Sequence, residues 1–207
     1  MYRIDLGLGT SVADNLNKLR EAARNAVRLD PNDGETQLVL GHAFAYQGMA
    51  DQALEQFAKA EALAPNNADL LINIAWFLPQ FGQPDRAVEL TEKALKLNPN
   101  YPYWYNQELR LAYFFGRQFD KSVKYAKQVT TPFPTDYAYL AAASAMSGDM
   151  AGAKVAAAQL VRLDPNWSVE KYLSDGGGYP DDAATLFVDA ASGLLMRRGD
   201  VDLVIVG

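Results

Sequence analysis

The sequence predicts an all-α fold, a right-handed superhelix of antiparallel helix pairs stacked as repeats. Three observations predict it. The phrase Leu-x-Pro-Asn, or a close form of it, stands at 29–32, 63–66, 97–100 and 163–166, so that the first three prolines are 34 residues apart and the last follows after 66. Gly48, Gly82 and Gly116 keep the same 34-residue interval, and Gly148 follows after 32. Between each glycine and the next proline, apolar residues return at helical spacing, as in Ala53, Phe57, Ala60 and Leu63.

The elements follow in order. A helix over about 11–29 comes first, with only "MYRIDLGLGT" before it, so residues 1–33 form half a pair. Such an end leaves an apolar face uncovered. This predicts either a piece of a longer protein or a homodimer through this end. Four pairs then occupy 34–67, 68–101, 102–133 and 134–167. In the first, Gly48 relieves the turn and Pro65 ends the second helix, with Asn66 or Asn67 capping the next helix. The leucine of the repeated phrase is expected to anchor the last turn. Pro79 predicts a kink or early stop in the second pair. In the third pair one extra residue follows Gly116, since Asp120 matches Asp85 only after that shift, and "VTTPFP" ends its second helix early. The fourth pair reads "YAYLAAASAMSG", whose small residues predict close packing. Residues 168–207 are expected to form capping helices and the β-prone tail "VDLVIVG", a second route to self-association.

This pattern resembles the tetratricopeptide repeat. Leu40, Gly41 and Phe44 match the family's first-helix positions in the best unit, and Ala53, Phe57, Ala60 and Pro65 match the rest. The resemblance implies a protein-interaction module with a concave groove lined by first helices. Its groove positions, carried over, are Leu38, His42 and Tyr46 in the first pair and Ile72, Asn73, Trp76 and Gln80 in the second. The third supplies Asn106, Arg110, Tyr113 and Phe114, and the fourth Tyr139. Aromatics and arginine are the residue types that most often carry interface energy. A clamp for acidic tails needs lysines and asparagines at fixed groove positions; Leu38, Ile72 and Asn106 occupy one such column, so the basic pattern is missing and chaperone-tail recognition is not expected.

A narrower resemblance rests on "AWFLPQFGQPDRAVEL", "LNPNYPYWYNQELRLAYFFGRQFDKSV" and "DPNWSVEKYLSDGGGY". These stretches are similar to the C-terminal repeat region of bacterial adenylate/guanylate cyclase-like proteins. It implies a regulatory or oligomerising region whose catalytic domain is not in these 207 residues.

Composition bounds the chemistry. A net charge of −6 argues against nucleic acid and against an anionic membrane surface as partner. There is no cysteine, which removes disulfides and thiolate metal sites. His42 is the one histidine and has no carboxylate placed to form a triad with it. The reading is a cytoplasmic protein or peptide binder with no catalytic site, no cofactor and no metal. "GLGT" at 7–10 lacks the lysine of a phosphate loop, and "DGGGYPDD" at 175–182 lacks calcium-loop spacing.

Overall fold

A computed structural model describes residues 12–169, with 172 and 185. The regular structure among the described residues is helical: α1 (Val12–Leu29), α2 (Gly34–Ala45), α3 (Ala50–Leu63), α4 (Ala68–Phe77), α5 (Pro84–Leu97), α6 (Tyr105–Phe115), α7 (Phe119–Ala126), α8 (Pro134–Met146) and α9 (Met150–Leu163). A 3₁₀ turn, Leu78–Phe81, follows α4 where Pro79 interrupts the helical ladder. No helix among the described residues is long and apolar enough to cross a membrane. Residues 1–11, the turn at 175–182, most of the capping region and the tail, with the self-association expected through it, lie outside the described residues.

The chain divides into two compact units, Met1–Ile74 and Ala75–Gly207. In the first, α2 and α3 form a hairpin whose closest approach is at Gly41. A Cβ there would stand 2.5 Å from Cδ1 and Cε1 of Phe57. Phe44, Ala53, Phe57 and Ala60 are buried around it. Arg24 covers the Phe44 ring at 5.6 Å, and Arg20 donates to Gln47 Oε1 at 2.7 Å, which fastens α1 to the hairpin. The side chain of Asp33 caps α2 through the Glu35 N–H at 3.0 Å. Asn67 caps α4 through the Leu70 N–H at 3.0 Å.

The second unit packs α6, α8 and α9 around Leu111, Phe114, Phe115, Tyr139, Ala142 and Leu160. Ala141, Ala153 and Ala156 form a smaller cluster, which is the close packing expected of the alanine-rich pair. α7 is the shortest helix described, eight residues, in keeping with its early stop at "VTTPFP".

Two expectations are corrected. The leucine of the repeated phrase anchors nothing: Leu29, Leu63, Leu97 and Leu163 are all exposed. The stop comes from the proline alone. The residues before it, Ala64, Asn98 and Asp164, leave the helix at φ −134°, −130° and −141°, as the pyrrolidine ring demands of its predecessor.

The second correction concerns Gly116. Gly48, Gly82 and Gly148 hold the left-handed turn, at φ 70°, 70° and 88°, but in the third pair that position belongs to Arg117, at φ 56°. Gly116 is required for another reason, since a Cβ on it would collide with Cγ2 of Val88. An L-residue held left-handed costs roughly 1–2 kcal/mol, part of which glycine returns as lost chain entropy. Arg117→Gly is therefore expected to raise stability by about 0.5–1 kcal/mol. A lower urea midpoint for the variant would contradict this.

Candidate binding face

The turns fix which residues are equivalent from pair to pair. At the end of each first helix one N–H reaches back five residues: Met49 to the Phe44 carbonyl, Gln83 to Leu78, Gln118 to Tyr113 and Asp149 to Ser144, at 3.0, 2.9, 2.8 and 2.9 Å. Counting back five positions from these carbonyls gives Val39, Asn73, Glu108 and Tyr139. Counting back two gives His42, Trp76, Leu111 and Ala142. The third pair thus runs one residue later than the 34-residue interval places it.

That shift accounts for where the expected groove residues of α6 stand. Asn106 donates from Nδ2 to the Gln128 carbonyl beyond α7, at 3.3 Å. Tyr113 stacks on Tyr125 of α7, with centroids 5.5 Å apart and rings 10° from parallel. Arg110 turns to α8: its Nε and Nη2 hold Oδ1 of Asp136 at 2.8 and 2.5 Å, and its guanidinium lies 4.6 Å from the Tyr139 ring centre. Asn106, Arg110 and Tyr113 are packing residues here, each buried, and not an open lining. Phe114 and Tyr139 are buried too, meeting edge to face at 5.2 Å. Tyr139 extends the contact through its hydroxyl, 3.0 Å from that of Tyr172. Trp76 is half-buried and packs against this aromatic cluster, while Gln80 stays partly exposed.

In the first unit, Leu38 and Ile72 are buried. Val39 of α2 and its C-cap Tyr46 are 38% and 43% exposed, which leaves apolar area that the hairpin itself does not cover. His42 lies between, its ring edge-on to Phe57 at 5.7 Å. Asn73 is partly exposed and donates to the Asp69 carbonyl at 2.8 Å.

Two groups here are held away from their ordinary protonation. Burial lowers His42 to about 4, against a hydrogen bond with the Asn73 backbone that works the other way. Burial pushes the Glu108 carboxyl up to about 8, although Arg110 opposes the shift. Glu108 Oε2 has no hydrogen-bond partner. Reading α6 at the 34-residue interval passes over Glu108. Counting from the turn would have found it.

The signs of the two shifts differ. A depressed histidine contributes stability that is present above 6.5 and is lost as pH falls through 4. A raised carboxyl contributes stability that is present below 4.5 and is lost as pH rises through 8. His42→Gln is thus expected to flatten the stability decline between about pH 6.5 and 4, and Glu108→Gln the decline toward pH 8. Denaturation midpoints across that range check both. Slopes matching wild type would show that neither group is desolvated.

Among the described residues no three His, Asp or Glu side chains gather as a metal site. Residues 44–111 match the tetratricopeptide repeat family model. No curated protein matches the chain. Solved structures do. PilW, a type IV pilus biogenesis factor, is 20% identical with a TM-score of 0.64, over 94% of this chain and 92% of its own. YrrB, a tetratricopeptide-repeat protein with an unusual peptide-binding site, is 16% identical with a TM-score of 0.58, over 87% and 85%. A thermophilic repeat protein of Thermus thermophilus is 19% identical with a TM-score of 0.57, over 89% and 93%. At these identities the likeness shows the fold alone, that of tetratricopeptide-repeat proteins.

Proposed function

We propose that this chain is a binding module that holds a peptide or a helix of a partner protein on the inner faces of its first helices and does no chemistry. The observation that carries the reading is the exposed apolar area of α2, Val39 and Tyr46, beside the half-buried polar groups of His42 and Asn73. Apolar anchors with a few convergent polar groups are what a peptide site needs. In the second unit the face we propose comprises Trp76, Gln80 and the inner side of α6. Leu38 and Ile72 in the first unit, and Phe114 and Tyr139 in the second, are buried and support the fold of their own units. The peptide-binding site of YrrB, a protein of the same fold, supports the reading by analogy.

Selection of displayed random peptides against the intact chain tests it. Tyr46→Ala is expected to weaken the selected peptides by about tenfold or more while leaving the helical circular dichroism unchanged, because the ring is exposed. Equal binding by the variant, or no enrichment at all, would remove the groove reading.

A second reading makes the chain a regulatory region of a nucleotide cyclase. It rests on stretches whose described residues include stacked aromatics of the second unit. Tyr101 stacks on Tyr105 at 5.5 Å with Trp104 edge-on at 4.4 Å, and Trp167 stacks on Tyr172 at 6.2 Å. Cyclase activity in a longer parent protein that changes when this region is deleted would favour it.

A further inference from the structure

We propose that α5 and α7 carry a docking surface of their own, which takes a short acidic segment, a run of aspartates and glutamates, of a partner protein. These are the second helices of their pairs, so the surface lies apart from the first-helix face and does not depend on it. Residues 93–127 hold seven lysines and arginines against two acids, in a chain whose net charge is −6. Arg110 and Glu108 of that stretch are buried. Lys96, Arg117, Lys121, Lys124 and Lys127 are exposed, with Asp120 the one exposed acid of the stretch. Among the described residues, Lys96, Arg117, Lys124 and Lys127 pair with no carboxylate.

Two of these cations are held in place. Tyr113 and Tyr125 stack, and Lys121 Nζ lies 4.9 Å from the Tyr113 ring centre while Lys124 Nζ lies 5.0 Å from that of Tyr125. The rings are buried backing, and the lysines stand at the surface. An ammonium resting on an aromatic face has already given up rotamer freedom, so less is lost when an anion binds. Lys121 also reaches Glu92 of α5 at 2.9 Å, which ties the two helices together. Tyr101 joins from the loop after α5. Burial and Tyr125 raise its phenol while Lys124 opposes the rise, so its hydroxyl is a proton donor near both.

Helix capping does not account for the cluster. Lys96 and Lys124 do answer the dipole from the last turns of α5 and α7. Arg117 and Lys121, however, stand just before and within the first turn of α7, where the dipole favours anions. The extent of the patch selects the ligand. α7 has eight residues and is about 12 Å long. Because the rest of the chain is acidic, a long polyanion meets repulsion once it runs past the patch, whereas a segment of a few acids stays within it.

Fluorescence anisotropy of a labelled short oligoglutamate, titrated with the intact chain at low salt, tests this. The probe is expected to bind, and to bind less tightly as salt rises. Lys121→Gln combined with Lys124→Gln is expected to weaken binding by about tenfold or more with the helical circular dichroism unchanged, since both side chains are exposed. Lys18→Gln combined with Lys154→Gln removes the same charge from exposed positions elsewhere and is expected to leave the affinity as it is, and so is Tyr46→Ala on the first-helix face. No binding of the oligoglutamate would overturn the inference, as would an equal loss in the two double variants, which would reduce the effect to overall charge. Tighter binding of oligothymidylate or of phosphatidylserine vesicles through the same lysines would overturn it too, in favour of a nucleic acid or a membrane. Each of these results leaves the groove reading standing, because that reading is tested on different helices.

Discussion

Asp136→Ala is expected to destabilise the second unit by about 3–5 kcal/mol. Asp136 is 3% exposed and so is its partner Arg110. Removing the carboxylate leaves a guanidinium that cannot deprotonate, buried against the Tyr139 ring without the acid it is bonded to. It also strips the Phe133 N–H of its acceptor at the start of α8. Most of the cost is the orphaned charge and not the lost attraction, and a double replacement separates the two. Arg110→Met with Asp136→Leu removes both charges while keeping apolar volume, and is expected to recover more than half of the loss. Urea unfolding of the two single variants and the double closes the cycle. A cost below about 1 kcal/mol for Asp136→Ala would show that the pair is solvated and that α6 and α8 are not locked by it.

The hairpins were legible because the residues that end helices are few and act locally. Proline at 65 and 99, glycine at 48, 82 and 148, and the interrupting Pro79 each impose a backbone conformation that needs no tertiary partner. The tight packing at Gly41 and the alanine-rich fourth pair could likewise be read from side-chain size. The face of α6 was not legible in the same way. One inserted residue rotates a helix by about 100°, and Asn106, Arg110 and Tyr113 pack within the second unit instead of standing open. Asp120 reveals one extra residue in the third pair, but the sequence places it after Gly116, because Gly116 falls on schedule for an unrelated reason, the close approach of Val88. Periodicity also misleads at the leucines before each proline, which recur as faithfully as core residues yet face solvent. The burial of Glu108 could not be read either, since a glutamate inside a helix is ordinarily a solvated one.

Gly41→Leu is expected to cost the first unit about 3 kcal/mol, the upper end of the range for overpacking a core. The Cβ alone would fall 2.5 Å from two ring carbons of Phe57 and 3.4 Å from the Ala53 carbonyl oxygen. Phe57 cannot step aside, being 2% exposed with His42 edge-on to its ring. Ala53 is fully buried on the opposite helix, so the remaining way to admit a leucine is to separate α2 from α3. Size should therefore grade the effect. Gly41→Ala places only the Cβ and is expected to cost less, with a partial return of stability when Phe57→Leu shortens the ring it strikes. Because His42 lies one residue from Gly41 and Tyr46 five, a separated hairpin also displaces the face that we propose binds peptide. Stability and peptide affinity should then fall together in Gly41→Leu, whereas Tyr46→Ala loses affinity alone. An unchanged denaturation midpoint in Gly41→Leu would mean that α2 and α3 do not meet at Gly41, and the register of the first hairpin would have to be redrawn.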